Sequence, residues 1–99
     1  MIYRYSDKDP LEVIVCSMDF VDILNGEAIQ SCSWVITRED LPTEVTSGML
    51  SGVASAAGTI VSQKVINGNV GGAYIHRAEV VTPTRTLILG ARQNVTFGA

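Results

Sequence analysis

The chain has 99 residues, 46% hydrophobic and 17% charged, with a net charge of −3 and a pI near 4.9. That is one domain, large enough to bury a core, and too apolar to stay disordered. The acidic balance without a basic patch argues against a nucleic-acid partner, and no apolar run approaches a membrane span.

Residues 1–10 are polar and end in Asp9-Pro10. They read as an extended N-terminal arm that leads into a single domain over residues 11–99. The arm has no core-forming pattern and is expected to be mobile without a partner. Its Tyr3, Tyr5 and Lys8 are therefore the candidate docking residues. The opening sequence is mixed in charge and unlike a secretory leader. A reducing cytoplasm is expected, with Cys16 and Cys32 as free thiols on neighbouring strands.

From Glu12 to Phe20 the residues alternate, with Ile14, Cys16, Met18 and Phe20 on one face. This predicts the first core strand. Asp19 to Leu24 fits a single helical turn before the Asn25-Gly26 turn. Ala28 to Thr37 is the clearest strand, with Gln30, Cys32, Trp34 and Ile36 on one face. Trp34, the only tryptophan, is expected to anchor the core with Cys32 beside it. Residues 45–62 are uncharged and small. Composition allows a flexible linker, while Met49, Leu50 and Val53 favour one or two irregular strands.

Thr59 to Ile66 reads as a strand, followed by a glycine-bearing loop over residues 67–72. Ala73 to Val81 alternates with Tyr74, His76, Ala78 and Val80 on one face. Tyr74 is either an ordinary core tyrosine or a tyrosine corner, whose hydroxyl pins a strand start to the backbone. Thr82-Pro83-Thr84-Arg85 turns the chain. Thr86 to Val95 returns with Leu87, Leu89, Ala91 and Val95 inward, and Leu87 completes the predicted core anchors. About seven strands with regular turns and no long helix give an all-β class. The expected architecture is an immunoglobulin-like or fibronectin-III-like antiparallel β-sandwich.

Catalysis is not expected. His76 is the only histidine, and its register places it in the core or at its rim. Neither cysteine carries a local nucleophile signature. Two cysteines sixteen apart and one histidine do not make a zinc spacing. The acids lack a calcium-loop pattern. Gly68, Gly71 and Gly72 precede a strand, so they do not form a phosphate-binding helix start. No catalytic, metal or cofactor-binding residue is assigned. Charge is segregated along the chain: residues 1–44 hold nine acids against three bases, and residues 45–99 hold four bases against one acid. Either this is a mixed folded surface, or copies stack acidic patch to basic patch.

The order of motifs resembles the fiber–tail adaptor proteins of tailed phages. The resemblance runs over roughly residues 8–95. It rests on Lys8-Asp9-Pro10, the Asp19-Phe20 step, Leu24-Asn25-Gly26-Glu27-Ala28-Ile29, Ser31-Cys32-Ser33-Trp34, Gly68 through Gly71 to Tyr74, and Arg85-Thr86. It departs in the small-residue stretch 43–58 and at Thr82-Pro83-Thr84, where a glycine is common. The resemblance implies an immunoglobulin-like virion protein near the neck or tail, made in the bacterial host cytoplasm. It implies several copies in a symmetric ring, bound to a connector or adaptor ring, a nozzle or a tail fiber. No cofactor, nucleic acid or membrane would be involved. The alternatives are a carbohydrate- or host-surface-binding sandwich module and a capsid decoration protein.

Overall fold

Two-residue periodicity sends alternate side chains to opposite faces of a strand. In this chain alternate side chains such as Met18, Trp34, Val61, Tyr74 and Ala91 face one shared interior. The computed structural model describes residues 2–39 and 47–98. Its elements are β1 (Ile2–Arg4), β2 (Ile14–Asp19), α1 (Val21–Leu24), β3 (Ser31–Arg38), a 3₁₀ turn (Ser47–Met49), β4 (Leu50–Ala57), β5 (Ile60–Val65), β6 (Ala73–Val81) and β7 (Thr86–Asn94).

They form two sheets, with strand orders β1-β7-β6-β3 and β2-β5-β4. Met18 and Phe20 from one layer meet Trp34, Ile36, Tyr74, Ala78, Val80 and Ala91 from the other in one buried cluster. Sheet-on-sheet burial of this kind is an all-β sandwich. Cys32 and Leu87, read as core anchors, are partly buried and pack against the rim of that cluster.

The N-terminal arm departs from expectation. β1 pairs with β7 in parallel, with Ile2 opposite Gly90 and Arg4 opposite Arg92. The pairing continues through Tyr5 N–H on Arg92 O at 2.8 Å, Lys8 N–H on Asn94 O at 2.9 Å and Thr96 N–H on Lys8 O at 2.8 Å. The arm is therefore a docked edge strand rather than a mobile tail, and the four-stranded sheet is mixed rather than purely antiparallel. Its backbone groups seat it, and the Tyr5 ring packs against the core.

The small-residue stretch also has a specific form. β4 pairs with β5 but shifts register between Ser51 and Ser55. Gly52, at φ +75°, lies inside this bulge. The buried Gln63 side chain props it, donating from Nε2 toward the carbonyls of Lys64 at 2.9 Å and Gly52 at 3.2 Å. A bulge twists an edge strand and leaves backbone groups unpaired, which the amide here satisfies. Residues 40–46 lie outside the described residues.

Candidate functional site

A buried cluster of polar side chains lies beneath the N-terminal segment. β3 carries Trp34, β6 carries His76 and β7 carries Gln93, and inward register brings all three together in the buried layer. Trp34 Nε1–H donates to His76 Nδ1 at 3.0 Å. Tryptophan is only a donor, so Nδ1 carries the lone pair and Nε2 the proton. His76 Nε2–H then donates to Gln93 Oε1 at 3.0 Å, and Gln93 Nε2–H donates to Ser6 O at 2.9 Å. Both imidazole nitrogens are committed. Burial pushes the His76 pKa down to about 4, against a smaller upward pull from Gln93.

Two side chains of the N-terminal strap are also held inside the domain. The Tyr5 ring stands edge-on to His76 with centroids 5.2 Å apart. Its hydroxyl crosses to the other sheet and donates to Ser17 O at 2.8 Å. Burial, with the Cys16 thiol nearby, raises the Tyr5 pKa. Lys8 was a docking candidate, but it is 1% exposed and spent inside the domain. Its ammonium donates to Asn67 O at 2.6 Å and Asp9 O at 2.9 Å. Burial lowers its pKa, opposed by Glu12 and Asp9. The side chain of Tyr3 lies outside the described residues.

Cys16 is buried and is not poised as a nucleophile. Burial pushes the Cys16 thiol up to about 11, so the reactive thiolate is scarce at neutral pH. Cys16 and Cys32 are free thiols. β2 and β3 are edge strands of different sheets rather than neighbours. Among the described residues no group of three or more histidine, cysteine or carboxylate side chains is gathered as metal ligands. No helix there is long and apolar enough to cross a membrane.

Two loops are fastened by residues that stood out in the sequence. Tyr74 is buried, and its hydroxyl accepts the Asn69 N–H at 2.9 Å. This is the corner arrangement, a hydroxyl holding the backbone five residues upstream. At the opposite end Arg85 meets Glu27. Arg85 Nη2 lies 2.9 Å from Glu27 Oε2 and also donates to the carbonyls of Ile23 and Leu24 at 2.9 Å each. Thr84 Oγ1 donates to Glu27 Oε1. The Thr84 hydroxyl first, and the Arg85 guanidinium with it, holds the Glu27 carboxyl below its usual range.

The Glu27–Arg85 and Glu39–Arg92 pairs join acids of the first half to bases of the second. Part of the sequence-level charge segregation is thus used within the chain.

The outer faces carry exposed apolar groups. Leu11, Val13 and Val15 are 91%, 58% and 66% exposed. Val53 projects from the β4 bulge, and Val35 and Ile88 flank Arg77 and Glu79 on the outside of the larger sheet. Of the described aromatic side chains, only Phe97 is exposed.

Sequence reasoning missed Gln93, Ser6 and the burial of Lys8. Gln93 did have a signal: it continues the inward register of Leu89 and Ala91. No protein-family model matches the chain, and no curated protein is similar to it.

Proposed function

We propose that this chain is a non-enzymatic structural subunit of a tailed-phage virion. It would be an immunoglobulin-like adaptor that joins tail or connector to fibers or neighbouring neck proteins, in several copies around a ring. The observation that carries this reading is the contact between Glu27 and Arg85. These residues belong to two of the motifs on which the resemblance rests, the Leu24–Ile29 segment and the Arg85-Thr86 step. They lie 58 positions apart yet are bonded directly.

Other motif residues have structural roles too. Leu24 and Trp34 are buried, and Tyr74 fixes the loop that begins at Gly68. An assembly role also suits a chain whose only histidine has both nitrogens occupied, while apolar side chains stand on its surface. Exposed apolar groups gathered together are a common mark of contact surfaces.

The test is to purify the particle and locate this chain in it by cryo-electron microscopy. Density for the domain at the neck or tail, repeated by the particle's symmetry, is the expected result. Absence from purified particles would overturn the proposal. Density on the shell alone would favour capsid decoration instead.

A further inference from the structure

The groove that holds residues 2–9 is a socket whose parts lie far from that segment in sequence. Gln93 Nε2 needs the Ser6 carbonyl, 87 positions away. Asn67 O takes the Lys8 ammonium, and Gly98 N–H takes the Asp9 carboxylate. Ser17 O takes the Tyr5 hydroxyl, and the edge of β7 takes the backbone from Ile2 to Lys8. None of these contacts depends on which chain supplies the strand. A second copy carries the identical segment.

We propose that this socket accepts residues 2–9 of a second copy of the chain, so that copies join by exchanging the strap. The inference stands apart from the virion reading and is tested on the purified chain alone.

The connection to β2 has the character of a hinge. Asp9 and Glu12 close it through Glu12 N–H on Asp9 O at 3.0 Å and Asp9 N–H on Glu12 Oε1 at 2.8 Å. Pro10 sits within it, and Leu11 contributes almost nothing to the core. In an extended hinge Leu11, Val13 and Val15 project from one face at two-residue spacing. In the closed form these same side chains are exposed to water. Two opened hinges laid side by side would cover them. Exchange of an identical element costs little, because every contact of the strap in its socket is remade between copies and only the Asp9–Glu12 turn bonds are lost.

Two full-length experiments test this. The first deletes Pro10–Glu12. The remaining step from Asp9 to Val13 spans about 3.8 Å, too short to form the Asp9–Glu12 turn that returns the strap to its own β7. The closed monomer is then disfavoured. Light scattering should give a folded species of at least twice the 10.6 kDa chain mass. Adding Tyr5→Ala should reduce that species. A folded monomer would overturn the proposal.

The second experiment keeps the hinge intact and decides the matter if the shortened chain does not fold. It uses Cys16→Ser and Cys32→Ser with Arg4→Cys and Arg92→Cys, a pair in direct register. The protein is refolded at rising concentration and then oxidised. Disulfide-linked dimers and higher multiples that increase with concentration are the expected result. Internally linked monomer alone, at every concentration, would overturn the proposal.

Discussion

Trp34 gives its indole N–H to Nδ1 of His76, 42 residues along the chain, and so decides which imidazole nitrogen is protonated. A second proton on the ring would have to sit where that bond is. His76 must therefore be neutral in the folded state. Its folded pKa of about 4 lies below the ordinary value of 6.5, so the unfolded chain binds more protons between those pH values. Stability is fully present above about pH 6.5, is lost as pH falls toward 4, and levels off below. The loss attributable to this group is on the order of 3 kcal/mol. His76→Gln can accept from Trp34 and donate to Gln93 without titrating. Urea melts should show a flatter pH profile for this variant between 6.5 and 4; equal slopes would refute the assignment.

Trp34→Phe separates packing from hydrogen bonding. It keeps most of the apolar volume but leaves His76 Nδ1 without its donor, which should cost about 1–3 kcal/mol. Trp34→Ala adds a cavity and should cost about 3–5 kcal/mol. A Phe variant as stable as the parent would mean that the indole N–H contributes nothing.

Arg85 satisfies two carbonyls at the end of α1 as well as the Glu27 carboxylate. Arg85→Ala should lower stability by about 1–3 kcal/mol, through the loss of the donor to Ile23 O and of the Glu27 pair, while Leu24 O keeps the Glu27 N–H. Arg85→Lys should recover only part of it, because an ammonium cannot spread its donors as the planar guanidinium does. Glu27→Gln should be milder, since the threonine and arginine donors keep an oxygen to bind. Denaturant midpoints of the three variants should fall in that order.

Two of the three loop glycines before β6, Gly68 and Gly72, differ from Gly71 in what surrounds them. A Cβ at Gly72 would stand 2.6 Å from Tyr74 Cε2 and 2.9 Å from Asn69 O. One at Gly68, where φ is +107°, would stand 2.8 Å from Val95 Cγ2. Gly26 has a positive φ but open space. Gly26→Ala should cost about 1 kcal/mol through backbone strain alone. Gly68→Ala and Gly72→Ala should each cost more, and thermal melts would rank them. Equal melting temperatures for all three would contradict the packing described.

Alternating strands were legible from the residues because one face of each is dry. Ala73–Val81 was read to its observed ends, and the inward positions of Met18, Trp34 and Tyr74 followed from the same period. The strap was not legible. Arg4, Tyr5, Ser6, Asp7 and Lys8 show no alternation, because the strand is held by its backbone and by single reaching side chains. Lysine is rarely a buried residue, so nothing marked Lys8 as internal. The polar core was only half legible: the register of His76 was clear, but its partners come from two other strands. The bulge in β4 left composition as its only trace, since the glutamine that props it is on β5.

The pairing of β1 with β7 also sets an order of events during synthesis. Ser6 leaves the ribosome 87 residues before Gln93, the amide it must satisfy. Until then β7 does not exist, and the strap has no edge to join. The nascent chain must carry the strap undocked while the four-stranded sheet is still incomplete. Closure of the strap is then a late step, with a large loop to close. Substitutions confined to the strap should therefore speed unfolding far more than they slow folding.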